Sequence, residues 1–295
     1  MLTSNQRAFL TQLANAIEVL DEKHTSLKMM FYGDSGVGKT VAAMQMAQQV
    51  TPPDKSIVFI DSAEGWVSLD NHKKLKVRTN YIPWTKVANL EALEALALAI
   101  TEGIHPWSTV GTIVLDESTS LANDDLDRVV FDRSRTTTGK DPDTPMQPDY
   151  NTTTNRVRKF YGDLIKVPEL NVILTGHLRS DKDNLQREKI SPAFLPKLST
   201  HIRGMLHLVV YMTADQRDVG GKIEYTRQLQ VHPTTRIVAK TRVGGLPPVA
   251  SMRELVTGVK EWLRNEPARE QREEPKVVVE VPQLAGEAIN MEGEQ

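Results

Sequence analysis

Residues 33–40 read GDSGVGKT, and this stretch decides the expected fold of the chain. It lies between an apolar run, Leu27–Tyr32, and a segment with helical spacing of apolar residues, Lys39–Gln49. The pattern G-x-x-x-x-G-K-T between a strand and a helix is typical of a phosphate-binding loop, in which backbone N–H groups and a helix N-terminus attract phosphate. The pattern predicts a nucleotide site made of Gly33, Asp34, Ser35, Gly36, Val37, Gly38, Lys39 and Thr40.

Three side chains near this loop carry the expected chemistry. A lysine at the place of Lys39 reaches the β- and γ-phosphates of a nucleotide, and the Thr40 hydroxyl is a ligand for Mg²⁺. Asp116 closes a second apolar run, Thr112–Leu115, and a carboxylate at the carboxyl end of a buried strand is a natural partner for the ion. We therefore expect ATP and Mg²⁺ as ligands. The alternative for Asp116 is that it caps a following helix.

The rest of the chain predicts an α/β fold. Short β-rich runs alternate with helical ones up to about residue 175, which indicates a mostly parallel central sheet flanked by helices. Three later runs have no helical spacing between them and predict an antiparallel extension of that sheet: Met205–Met212, Ile223–Val231 and Thr235–Lys240.

Composition sets the domain organisation and excludes some chemistry. The 295 residues, 39% of them hydrophobic, suit one domain with appendages. We expect an N-terminal helix in residues 1–24, the core in 25–264, and a disordered acidic tail in 265–295, which contains eight Glu but only two Arg and one Lys.

The absence of cysteine excludes disulfides and thiolate chemistry. No apolar run or leader suggests a membrane or secretion, so we expect a cytoplasmic protein.

A second acidic strand end leaves the catalytic base open. Residues 57–65 read IVFIDSAEG, and Glu64 follows that strand closely enough to orient a water at the γ-phosphate. Glu117 competes for the role, because in many P-loop ATPases the base directly follows the magnesium aspartate. A solvated loop position is the plain alternative for either glutamate.

The order of these motifs resembles the bacterial RecA family. In that family, a strand ending in Asp-Ala-Glu carries the catalytic base, which matches Glu64, and a later strand carries the magnesium aspartate, which matches Asp116. The next strand ends in a polar γ-phosphate sensor, usually Gln, and the matching run Asn171–Arg179 has His177 there. The alternative for His177 is that it caps the end of the strand. The resemblance covers residues 27–248 and is closest to the short RecA-like ATPases of bacteriophages, which are associated with single-strand annealing. It implies a RecA-type P-loop NTPase fold.

The same resemblance implies an oligomer and a nucleic-acid partner. A late strand of the family carries two basic residues that reach the neighbouring subunit's ATP, and Lys240 and Arg242 match them. Hydrolysis would then need a homo-oligomer, either a filament or a ring. An edge strand protected by basic residues is the alternative.

The family binds single-stranded DNA through two loops. Residues 133–154, rich in Thr, Pro and Asp, and residues 180–192, strongly charged, both have the composition of loops. By position, 133–154 and 180–203 would be the DNA loops. The resemblance therefore implies DNA-dependent ATP hydrolysis to ADP and phosphate in recombination or strand annealing.

Two other functions stay open. An AAA-type loader or helicase-like ATPase would act on a protein partner and use Glu117 as its base, since a glutamate directly after the aspartate is more typical of AAA-type ATPases than of RecA. A nucleotide-gated binding module would have little turnover. Its acidic tail would dock a partner such as a single-strand-binding protein.

Overall fold

A computed structural model describes residues 26–83, 90–136, 141, 144–182, 185–219 and 222–264. The predicted N-terminal helix and the predicted acidic tail lie outside these residues. None of the described helices is long and apolar enough to cross a membrane.

Ten strands and six α-helices make up the described chain, together with three short 3₁₀ turns. In chain order they are β1 (Lys28–Gly33), α1 (Lys39–Val50), β2 (Ser56–Asp61), two 3₁₀ turns (Gly65–Leu69 and Lys73–Lys76), β3 (Thr79–Pro83), α2 (Leu90–Thr101), a 3₁₀ turn (Trp107–Thr109), β4 (Val110–Asp116), α3 (Leu121–Thr136), α4 (Gln147–Lys166), β5 (Asn171–Lys182), β6 (Glu188–Pro192), α5 (Pro196–Met205), β7 (Leu208–Val219), β8 (Lys222–Gln230), β9 (Lys240–Thr241), β10 (Val249–Ala250) and α6 (Met252–Arg264).

The strands form one sheet in the order β10-β8-β7-β1-β5-β4-β2-β3. All neighbours from β7 to β3 are parallel, whereas β8 and β10 extend the sheet in antiparallel pairs. Two short strands branch off, β6 from β5 and β9 from β7. The predicted fold class, a mostly parallel sheet flanked by helices with an antiparallel extension, is confirmed.

Strand β1 lies at the centre of the sheet and is buried along its whole length. Its side chains alternate, so that Met30 and Tyr32 join the core on one face and Met29 and Phe31 join the core on the other. Helices α2, α3, α4 and α5 cover the first face, and α1 and α6 cover the second. A strand that is apolar on both faces is typical of a parallel sheet with helices on both sides.

The register brings the acidic and polar strand ends together. Because parallel strands share one carboxyl edge, Asp61 lies opposite Asp116, and Gly33 lies opposite His177. The loop after β1 therefore emerges in the middle of a row of strand ends that carry polar groups.

The prediction of two long loops was wrong for much of both segments. Helix α3 continues to Thr136 and α4 already begins at Gln147, and Arg133 pairs with the buried Asp149 across that junction at 2.9 Å. In the second segment, β5 continues to Lys182 and returns as β6. That hairpin is largely exposed on both faces, so its strands show no apolar alternation.

Two further expectations need correction. Residues 196–205, included in the second expected DNA loop, form α5, whose buried Leu198 and Ile202 pack against the sheet. The expected strand Thr235–Lys240 is reduced to β9 and one isolated bridge between Ile190 and Ile237. Residues 236–238 run beside Ile190 at the edge of the hairpin, and only the end of the segment pairs with β7 in the sheet.

Candidate active site

The phosphate loop joins β1 to α1 and depends on glycine at two turns. Gly36 (φ 79°) and Gly38 (φ 94°) adopt left-handed backbone conformations that side chains disfavour. Lys39 then begins α1, and its buried ammonium donates to the carbonyls of Gly33 at 3.1 Å and Asp34 at 2.8 Å. Burial lowers the pKa of Lys39, and the charges of Glu117, Asp116 and Asp34 oppose that shift.

Thr40 and Asp116 meet directly at the end of this loop. The Thr40 hydroxyl donates to Asp116 Oδ2 at 2.8 Å, which ties α1 to the end of β4. The other carboxylate oxygen accepts a hydrogen bond from the Thr175 hydroxyl on β5. Burial raises the pKa of Asp116, the hydrogen bonds from Thr175 and Thr40 lower it, and the charges of Asp61 and Glu117 raise it further.

This oxygen pair fits a magnesium ion. A hydroxyl and a carboxylate are the hard oxygen ligands that Mg²⁺ prefers, and a buried carboxylate with a raised pKa gains from a nearby cation. Within the described residues, no group of three or more His, Asp or Glu forms a metal cage. A nucleotide-linked Mg²⁺ needs only one or two protein ligands, because the phosphates supply others.

Asp61 holds the loop that follows β2. Its carboxylate accepts backbone hydrogen bonds from Ala63 (3.2 Å), Gly65 (2.8 Å) and Trp66 (3.0 Å). The loop is thereby drawn over the Thr40–Asp116 pair, because a Cβ atom added at Gly65 would collide with the Asp116 carboxylate. Asp61, the aspartate of IVFIDSAEG, therefore holds the loop in place beside the site.

Glu64 and Glu117 differ sharply in their surroundings. Glu64 is exposed, has a left-handed backbone (φ 56°), and its carboxylate has no recorded hydrogen bond to the described part of the chain. Glu117 is buried, and its Oε1 accepts from the Thr119 N–H at 3.0 Å, the Thr119 hydroxyl and the His177 N–H at 3.1 Å. Its Oε2 lies 2.9 Å from His177 Nε2. Of the carboxylates that raise the pKa of Lys39, Glu117 has the largest effect.

Lys240 and Arg242 lie away from this cluster. The Lys240 ammonium donates to the carbonyls of Arg203 and Gly204, each at 2.8 Å, and Arg242 donates to Gly204 at 3.1 Å. Both cations therefore bind the carboxyl end of α5 in their own chain, where the helix dipole favours positive charge.

Sequence reasoning did not identify three residues of the site. Thr175 had a usable signal, because it lies two positions before His177 on one strand and shares its side of the sheet. Thr119 had no such signal. Neither had Arg227 on β8, whose Nε donates to the phosphate-loop carbonyl of Val37 at 3.0 Å across 190 positions of sequence.

Comparison with known proteins gives the family. A family model described as an AAA domain matches residues 25–243. No match was found among curated proteins. A similar solved structure is described as a prototypical ATPase from the type III secretion system of pathogenic bacteria, with 13% sequence identity and a TM-score of 0.39 over 64% of this chain and 52% of that chain. The present chain thus spans about half the length of that ATPase. Because the family model covers more than half of the 295 residues, the chain belongs to the AAA domain family and carries a P-loop ATPase domain.

Proposed function

We propose that this chain binds ATP with Mg²⁺ at the carboxyl edge of the sheet, hydrolyses it to ADP and phosphate, and uses that cycle to act on single-stranded DNA in recombination or strand annealing. The observation that supports ATP binding and hydrolysis is the 2.8 Å hydrogen bond from Thr40 to Asp116. It joins the phosphate loop to a buried acidic strand end, which is the arrangement that phosphoryl transfer needs.

The phosphates would be bound by the loop and by Lys39. Its ammonium already faces the loop interior through Gly33 and Asp34, and it would exchange those carbonyls for the β- and γ-phosphate oxygens. Mg²⁺ held by Thr40 and Asp116 would supply charge neutralisation on the phosphate oxygens. The backbone N–H groups of the loop would orient the chain of phosphates for attack.

Glu117 is the base that we propose. A general base needs a fixed, ionised carboxylate close to the reacting phosphate. Three donors fix Oε1, and Oε2, which lies 2.9 Å from His177 Nε2, would have to exchange that contact for a water in order to accept its proton. The effect of the Glu117 charge on the pKa of Lys39 supports the nearness of Glu117 to the phosphates. Glu64, which the resemblance to RecA favours, is the alternative, and it would have to turn inward from an exposed position.

His177 is the residue that we propose as the link between nucleotide and DNA. It contacts Glu117 through both its backbone N–H and its ring, so a change at the base changes its position. It also stands where β5 leaves the sheet to form the hairpin with β6. If His177 acts as the sensor, its movement would be transmitted directly to the exposed hairpin.

The β5–β6 hairpin is the DNA-binding element that we propose. Residues 178–192 contain four basic and three acidic side chains, so the net charge is small and binding depends on how the cations are arranged. Lys182 and Lys189 are exposed on the hairpin, and Arg179 is half-exposed beside Asp181. Such cations can contact the phosphates of a single strand.

We further propose that the protein works as a homo-oligomer, with Lys240 and Arg242 acting on the ATP of a neighbouring subunit. Both side chains would have to leave the carboxyl end of α5 to do so. Their segment also bonds to the hairpin, since Ile190 N–H donates to the carbonyl of Arg236 at 2.7 Å. Subunit contact and DNA contact would therefore influence each other.

ATPase activity measured with and without single-stranded DNA, over a range of protein concentrations, tests this proposal. We expect stimulation by DNA and a specific activity that rises with concentration. Lys39→Ala should abolish turnover, and persistence of the activity in that variant would overturn the ATPase assignment. An activity that responds to neither DNA nor concentration would overturn the DNA and oligomer parts.

A matched pair of charge reversals tests the hairpin itself. Lys189→Glu should weaken DNA binding and reduce its salt dependence by about one phosphate contact. Lys74→Glu, a reversal at a lysine that is also exposed but lies on the 3₁₀ turn Lys73–Lys76, should leave both unchanged. Equal effects of the two variants would argue that only the total charge matters.

A second candidate function is an AAA-type loader or helicase-like ATPase that acts on a protein partner. The observation that favours it is the Asp116-Glu117 order together with the AAA domain match. It predicts the same loss of activity in Glu117→Gln, but no stimulation by DNA in the experiment above.

A further inference from the structure

A cavity of about 280 Å³ opens beside the phosphate loop, on the side of β1 away from Asp116. One wall is formed by Gly38, which directly precedes α1, and by Val41 and Gln45 of α1. These residues are three and seven positions apart, so they lie on one face of the helix. The cavity therefore begins at the phosphate loop and runs about 10 Å along α1, at 1.5 Å per residue.

The opposite wall is apolar and comes from distant parts of the chain. It is formed by Met212 on β7, Leu229 on β8 and Met252 at the start of α6. Flexible methionine side chains on two sides can adapt to the faces of a flat ring. A volume slightly below the roughly 300–1,000 Å³ of clefts for whole ligands suits one part of a larger ligand.

Arg227 stands at the end of the cavity nearest the phosphates. Its Nε donates to Val37 at 3.0 Å, and a Cβ atom at Gly38 would lie 2.8 Å from the same nitrogen. The guanidinium thus covers the loop where the phosphate chain would pass into the cavity. A cation at that point suits a ligand whose charged end is in the loop and whose neutral end is in the cavity.

Gln45 is the polar group at the far end. It is half-buried, and its amide has no recorded hydrogen-bond partner among the residues that the structure describes. An amide offers one donor and one acceptor side by side. That pair matches N7 and the N6 amino group of adenine, whereas guanine presents two acceptors on the same edge.

We propose that this cavity is the nucleoside pocket of the ATP site, and that Gln45 reads the base and selects adenine over guanine. The proposal rests on the proposed nucleotide function. It assigns the phosphates to the loop, the ribose to the region below Arg227, and the base to the space between Gln45 and the two methionines, Met212 and Met252.

Calorimetric binding of ATP and of inorganic tripolyphosphate separates the pocket from the loop. Gln45→Ala should reduce the affinity for ATP at least about fivefold, which is the lower limit for the loss of a bidentate base contact, and should leave the affinity for tripolyphosphate unchanged. Gln49→Ala is the matched control, because Gln49 is on the exposed face of the same helix, where it accepts from Lys260 at 3.0 Å. It should bind both ligands as the wild type does.

A specificity change gives an independent measure. Gln45→Arg places two donors where guanine has two acceptors, so the ratio of ATP to GTP affinity should fall at least about fivefold. If the wild type binds neither ATP nor tripolyphosphate, the proposed function fails and this inference with it. If both bind, then equal effects of Gln45→Ala on the two ligands, no effect on either, or an unchanged ATP to GTP ratio in Gln45→Arg overturns the inference alone.

Discussion

Replacing Glu117 by Gln is expected to remove most of the ATP turnover and to leave the fold and nucleotide binding almost intact. The glutamine has the same shape, and its amide oxygen can accept the same bonds from Thr119 and the His177 N–H. Its NH₂ group can donate to His177 Nε2, which now lies 2.9 Å from the carboxylate. What disappears is the negative charge that would take a proton from water.

The size of the effect follows from the role. A positioned general base contributes roughly 10²–10⁴ to the rate, which is about 2.7–5.5 kcal/mol of transition-state stabilisation at 1.36 kcal/mol per factor of ten. Glu64 is exposed and has no recorded hydrogen bond within the described ranges. Glu64→Gln should therefore act like an ordinary surface change, within about 0.5 kcal/mol or a factor of about two in rate.

Steady-state phosphate release from the wild type, Glu117→Gln and Glu64→Gln measures the difference. Binding of a fluorescent ATP analogue and thermal unfolding serve as controls, because they show whether the loss is catalytic. A Glu117→Gln protein within fivefold of the wild-type rate, or a large loss found only in Glu64→Gln, would refute the reasoning and return the base to the loop after β2.

Three further changes test the site and its surroundings. In Gly65→Ala, the new Cβ meets the Asp116 carboxylate, so the Mg²⁺ concentration for half-maximal activity should rise roughly tenfold, whereas Gly244→Ala, with open space around it, should match the wild type. Thr175→Val removes a hydroxyl that lowers the pKa of Asp116, so the acid limb of the kcat/KM profile should move to higher pH and return in Thr175→Ser; an unmoved limb would contradict this. Burial and nearby cations lower the pKa of His207 from 6.5 to about 4, so the unfolded chain takes up its proton first. The free energy of unfolding should therefore fall as the pH drops from 6.5 to 4. Urea titrations at several pH values measure this, and an equal dependence of the unfolding free energy on pH in His207→Gln would speak against it.

The parts of the fold that sequence reasoning predicted are those with local signals. The phosphate loop needs its glycines within a few positions, and the alternation of strands and helices repeats at short range. The carboxyl edge followed from these, because parallel strands end together, and Asp116 does lie beside Thr40. The RecA-like details that rest on DNA contact and on a neighbouring subunit have no such local test.

The parts that were missed depend on long-range contacts. Arg227 reaches the phosphate loop only because β7 and β8 pair beside β1, and no pattern near residue 227 indicates it. The hairpin of β5 and β6 was taken for a loop because exposed strands can be charged on both faces. Asp61 had a partial signal, since an aspartate before a turn often accepts backbone N–H groups, but sequence reasoning gave a role in that stretch to Glu64 alone.

The central position of β1 has a consequence for synthesis of the protein. Lys28 lies opposite Val172 and Met29 opposite Leu208, so both neighbours of this strand follow it by a long stretch of chain. At about 5–20 residues per second, the roughly 180 residues to β7 take roughly 9–36 s to make. Throughout that time the apolar strand that leads into the nucleotide loop lacks one or both of its partners. A nascent chain of this fold therefore carries β1 without its final pair of neighbours until β7 has left the ribosome.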